Sequence, residues 1–121
     1  MLNLPPKEVL NQIPRLQANE KARTSIGNIV IHLHLFAAVY DWWIAEFDGV
    51  DLFWGFVNLG DNDMAKWDCT SYVELKSICN GVLVMQVVNA HTEKIIDYLP
   101  PMIEWDENWK PKPFREVKWR K

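Results

Sequence analysis

Residues 40–57 read YDWWIAEFDGVDLFWGFV, two runs of aromatic and aliphatic residues on either side of Asp48-Gly49. A tight hairpin turn needs positive φ at its centre, and Asp-Gly adopts that at little cost. The stretch therefore predicts a β-hairpin with strands over 40–47 and 51–59. Two registers are open. If Asp48 and Gly49 alone make the turn, Phe47 faces Val50, Trp43 faces Trp54, and Trp42 lies opposite Gly55, where the missing side chain leaves room for an indole. That register sets Glu46 against Asp51, an unfavourable like-charge pair. A four-residue turn over Asp48–Asp51 pairs Phe47 with Leu52 and removes the clash.

Upstream of the hairpin the pattern has period two. Ile29, Ile31, Leu33 and Leu35 fall on one face and Val30, His32, His34 and Phe36 on the other, as in a strand with one wholly apolar side. Before it, Pro5-Pro6 and the spacing of Leu10, Ile13 and Leu16 predict a short helix near 6–13, interrupted by Pro14. Residues 17–28 read as a connecting loop. Downstream, Gly60-Asp61-Asn62-Asp63 is a turn, and Ser71 with Glu74 matches a capping box that opens a helix over 71–79, ended by Gly81. Residues 81–89 read as a strand or a helix, 91–99 as a helical turn or two stopped by Pro100-Pro101, and 102–109 as a last edge strand. The expected fold is α+β: an antiparallel sheet of four or five strands around the Trp-rich hairpin, packed by short helices.

The chain of 121 residues has the size of one domain, with a hydrophobic fraction of 49% and seven tryptophans, well above the usual share. No apolar run approaches the roughly 20 residues of a membrane helix, and the first residues lack the layout of a signal peptide, which points to a cytoplasmic protein. Cys69 and Cys79 stand without a CxxC or Cys/His set and read as reduced thiols rather than zinc ligands. The net charge of -3 is unevenly spread: six of the thirteen basic residues lie in the last twelve positions. This divides the chain into an acidic body, 1–109, and a basic, proline-containing tail, 110–121.

No complete catalytic motif is present: there is no P-loop, Rossmann fingerprint, HExxH helix or Ser/His/Asp set. His32 and His34, spaced i, i+2 on a strand, project from one face and could share a metal ion, but no third ligand follows at the right spacing. Neither a metal nor another cofactor is expected. The carboxylates of the hairpin region suit turns for backbone reasons alone. In the tail, Lys110, Lys112, Arg115, Lys118 and Arg120 alternate with Trp109, Phe114 and Trp119, the ingredients of phosphate attraction and base stacking. The proline spacing favours instead an extended strap that lays Trp109 and Phe114 back across the sheet. Trp42 and Trp43 are adjacent and so point to opposite faces. A sheet this small is expected to leave one indole uncovered. Tyr40 and Trp42, edged by Asp41, Glu46 and Asp51, then make a candidate docking surface for a protein partner.

Four stretches together, LPPKEVLNQIPRL, WWIAEFDGVDLFWGFV, WDCTSYVELKSI and WDENWKPKPFREV, resemble the bacterial domain-of-unknown-function family 2958. The most specific parts are EFDG-x-D-x-F-x-G, Glu46 to Gly55, and KPKPF, Lys110 to Phe114. The segment from Gly81 to Pro101 departs from the family by its greater length. The resemblance implies a small single-domain protein of plasmids, integrative elements or phages, with no assigned activity. The functional expectation is a non-enzymatic binding or accessory protein of a mobile genetic element, acting on a protein partner through an aromatic and acidic surface. The alternatives are a small metal-dependent enzyme using His32 and His34, and a nucleic-acid-binding protein using the tail.

Overall fold

A computed structural model describes residues 4–79, 86–88, 95–98 and 103–121. In chain order the regular elements are α1 (Lys7–Leu10), α2 (Ala18–Lys21), β1 (Val30–Ile31), β2 (Leu33–Ala37), β3 (Tyr40–Phe47), β4 (Leu52–Asn58), β5 (Lys66–Ser71), α3 (Tyr72–Cys79), β6 (Gln86–Val88), β7 (Ile95–Tyr98), β8 (Glu104–Trp105) and β9 (Lys112–Pro113). The fold is α+β, built on a five-stranded antiparallel sheet in the order β5-β4-β3-β2-β8. β1 pairs with β9, and β6 with β7, in separate two-stranded sheets. Among the described residues no helix is long and apolar enough to cross a membrane.

The hairpin forms, in neither of the expected registers. Phe47 pairs with Phe53 and Glu46 with Trp54; a bulge at Ala45 then shifts the ladder, so that Ile44 meets Gly55, Trp43 meets Phe56 and Trp42 meets Val57. Two causes are visible. The Asp48 carboxylate accepts the N–H groups of Val50, Asp51 and Leu52 at 2.8, 2.7 and 3.0 Å, which winds the connection into a longer loop than Asp-Gly alone requires. These backbone bonds, led by that from Asp51, also hold the Asp48 carboxyl below its ordinary pKa. The bulge places Ile44 and Phe47, three residues apart, in the same core, which strict alternation forbids. Gly55 is needed for backbone approach and not to admit an indole: a Cβ there would lie 2.0 Å from the Trp43 carbonyl oxygen.

All eight residues of β3 are buried, because both faces of the sheet are covered. One core gathers Trp42, Ile44, Phe47, Leu33, Leu35 and Phe53 under Ile13, Tyr72, Leu75 and Ile103. The other gathers Trp43, Ala45, Phe56, Ile29 and Ile31 under Val117, with Trp54, Trp67, Trp109, Phe114 and Trp119 packed around them. The apolar face read from Ile29 to Leu35 is thus wholly buried but shared between two cores. The strand breaks at His32, whose N–H donates to the Ile44 carbonyl at 2.9 Å, and β1 leaves the main sheet to pair with β9.

The remaining expectations divide by where the backbone finds partners. α1 occupies part of the helix predicted over 6–13. α2 lies in the stretch read as loop, and Glu46 holds its first turn. The capping box opens α3: the Glu74 N–H donates to Ser71 Oγ at 3.1 Å. β5, with the sequence KWDCTS, was not expected, since an edge strand exposed on one side carries little apolar period. Ile95–Tyr98 is a strand and not the helical turn expected over 91–99, because it pairs with Gln86–Val88. The rest of 80–102, including Gly81 and Pro100-Pro101, lies outside the described residues. β8 takes the edge position predicted for 102–109, and residues 110–121 lie over the second core as a strap.

Candidate functional site

Alternation in β2 sends Leu33, Leu35 and Ala37 into the first core, so His34 and Phe36 project from the opposite side. There His34 pairs across the ladder with Trp43, and its ring stacks on that indole at 5.3 Å and 5°. Trp109 closes over it at 5.4 Å and donates its indole N–H to the Ile31 carbonyl at 2.9 Å. His34 is therefore held by aromatic rings, with its nitrogens aimed at two carboxylates. Nε2 lies 2.7 Å from Asp41 Oδ1, and Nδ1 lies 3.6 Å from Asp106 Oδ2. Asp106 is fixed by its own N–H, which donates to the His34 carbonyl at 2.9 Å.

Asp41 is buried in β3, and its second oxygen accepts from the Lys121 ammonium. Burial alone raises a carboxyl pKa, but here the hydrogen bonds from His34 and Lys121 outweigh it and hold Asp41 below its ordinary value. Asp41 is therefore ionised near neutral pH. Its share of stability is complete above the unfolded-state value, 3.8, and is lost as pH falls through the lower folded value. An ionised carboxylate only accepts hydrogen bonds, so Nε2 of His34 must carry the proton of that contact. In the neutral imidazole Nδ1 is then a bare lone pair, and it is buried with no hydrogen-bond partner among the described residues.

Beside this pair runs an open groove of about 500 Å³ along the β2–β8 edge, lined by His34, Phe36, Asp41 and residues 104–108. Asp41 is already engaged. Glu104, Asp106 and Glu107 have no lysine or arginine partner among the described residues, and the described lining contains neither residue type. Phe36 supplies an aromatic wall, while Trp105 pairs with Leu35 and turns its ring onto the first core. No serine, threonine or cysteine stands in the lining to act as a nucleophile. The arrangement can hold a cation between carboxylates and the Phe36 ring.

The residues singled out from sequence do not converge there. Tyr40 and Trp42 are each 2% exposed and sit in the first core, which corrects the expectation of an uncovered indole. Glu46, also buried, accepts the N–H groups of Gln17 and Asn19 at 2.6 and 3.0 Å and caps α2. Asp51 braces the start of α3, accepting from Ser71 Oγ and the Val73 N–H. Of the five, Asp41 alone lines the groove. Asp41 takes His34 Nε2, and among the described residues no three His, Cys, Asp or Glu side chains gather as a metal site.

In the strap, Trp109, Phe114 and Trp119 pack on the second core, while Lys110, Arg115, Lys118 and Arg120 are exposed. Lys112 and Arg120 lie 4.5 Å from the ring centres of Trp109 and Trp119. The aromatic residues needed for base stacking are thus committed to packing. Glu104, Trp105, Asp106 and Glu107 were missed as site residues, although an uninterrupted acidic-aromatic run, EWDE, was there to be read.

No family model, curated protein or solved structure matches the chain.

Proposed function

We propose that this protein is a non-enzymatic binding protein that receives a lysine- or arginine-bearing segment of a protein partner in the groove beside His34. The supporting observation is an imbalance of charge: three carboxylates without lysine or arginine partners among the described residues stand beside the Phe36 ring. Carboxylates held together repel, and a cation entering between them relieves that repulsion while stacking on Phe36. The surface remains aromatic and acidic, as the sequence suggested, but it lies on the β2–β8 edge and not on the hairpin. The resemblance to family 2958 supports placing the protein among accessory proteins of mobile genetic elements.

Titration of the ¹⁵N-labelled protein with a short arginine-rich peptide tests this reading. The expected result is saturable shifts at Trp105, Asp106 and Glu107 that weaken with added salt. A peptide of equal length with citrulline in place of arginine leaves them unmoved. Absence of shifts at the groove, or equal shifts with the neutral peptide, would overturn the reading.

A further inference from the structure

We infer that His34 is a proton-operated clip that sets the charge of the groove. The argument begins with hydrogen-bond capacity. Asp41 fixes the proton on Nε2, so the neutral ring presents Nδ1 as a lone pair, buried and without a donor, toward the Asp106 carboxylate 3.6 Å away. An acceptor facing an acceptor is an unfavourable contact. Protonation of Nδ1 reverses it: the new N–H points at Asp106 Oδ2, and a closure of about 0.5–0.9 Å brings the pair within ordinary hydrogen-bond distance. No rotation of the ring is required, because Trp43 and Trp109 already hold its orientation.

The charged groups around the ring come from every neighbouring element. Asp41 faces it from β3 and Asp106 from the segment after β8, while Lys121 reaches Asp41 from the strap. Glu104 and Glu107 lie along the groove. A second hollow of about 330 Å³, which His34, Asp41 and Asp106 also line, adds Lys112, Glu116 and Lys118. The two carboxylates in direct reach are therefore both acceptors for the imidazolium.

The consequence concerns the groove. With His34 neutral, Glu104, Asp106 and Glu107 all face an incoming cation. With His34 charged, Asp106 is drawn into an internal ion pair and the groove loses one negative charge. Acid, by protonating His34, then weakens the binding of a cationic partner. This regulation rests on the reading of the groove given above, whereas the clip is a property of the free protein.

Two measurements separate them. Imidazole ¹⁵N spectra of the free protein at about pH 8 are expected to show Nε2 protonated and Nδ1 bare; toward about pH 5.5, where most carboxylates stay ionised, Nδ1 gains its proton. The amide signal of residue 106 follows that transition, and Asp106→Asn abolishes the coupling. An Nδ1–H tautomer at high pH, or an Asp106 signal indifferent to His34, would overturn the clip. In the second measurement, affinity for the arginine-rich peptide drops several-fold between the same two pH values, and His34→Gln removes the slope whatever its absolute affinity. Binding that is equally tight at both pH values in the unmutated protein overturns the regulation. Absence of peptide binding at any pH overturns the groove reading, and the free-protein spectra still decide the clip.

Discussion

Trp42 and Trp43 are neighbours in one strand, and their indoles lie in two different cores. The first is covered by the N-terminal segment, α3 and Ile103, the second by the strap that carries Val117. A strand buried on both faces makes the hairpin the structural centre of the molecule and moves any contact surface to the edges of the sheet.

The strap is therefore part of the fold. Deleting residues 110–121 uncovers Trp43, Phe56 and Ile31, and removes the Trp119 carbonyl that accepts from buried Asn58 at 2.9 Å. Loss of cooperative unfolding, or a fall of several kcal/mol, is expected from calorimetry, since each large apolar side chain returned to water costs about 1.5–3 kcal/mol. A truncated protein with the same melting temperature would show the strap to be dispensable.

Gly55→Ala places a methyl group against the Trp43 carbonyl, which is backbone and cannot swing aside. The expected cost exceeds the about 1–3 kcal/mol usual for overpacking, because the Ala45 bulge must be rearranged. Urea unfolding measures it. A midpoint within error of the parent would mean that β3 and β4 tolerate separation here.

Glu46→Gln retains the shape of the cap but trades a charged acceptor for a neutral amide beside the N–H groups of Gln17 and Asn19. A loss of about 1–3 kcal/mol is expected, with faster hydrogen exchange confined to residues 17–22. Uniform exchange across the sheet would argue against a local cap.

Burial lowers the pKa of His32 from its ordinary 6.5. The unfolded chain then takes up the proton first, so stability contributed by neutral His32 is full above 6.5 and declines as pH falls toward the lower folded value. Denaturation curves from about pH 8 to 5 are expected to flatten in His32→Gln. An unchanged slope would assign the pH dependence elsewhere.

Much of the fold was legible because local chemistry and tertiary context agree. The hairpin strands and the capping box at Ser71 follow from a period or a cap that the structure keeps; the apolar residues from Ile29 to Leu35 are buried as read, but the break at His32 divides them between two cores. The register was not legible. It depends on Asp48 capturing three amides and on a bulge at Ala45, neither of which leaves a periodic trace. β5 escaped because KWDCTS is a half-exposed edge, and Ile95–Tyr98 because a short apolar run carries no period of its own. The site was hidden for a different reason. The groove unites β2 with residues 104–108, and that union depends on β8 adding to the sheet edge, a long-range pairing that sequence spacing does not encode. Burial of Trp42 was not legible because its cover comes from Ile13, α3 and Ile103, segments far from it in sequence.

The most direct test of the binding reading is a charge reversal in the groove, followed by calorimetric titration with the arginine-rich peptide. Glu104→Lys with Glu107→Lys changes two positions on the groove edge and leaves both cores untouched. The expected result is loss of binding by more than about tenfold with an unaltered melting temperature, together with new affinity for an acidic peptide. Undiminished binding of the basic peptide by the folded double variant would contradict the account.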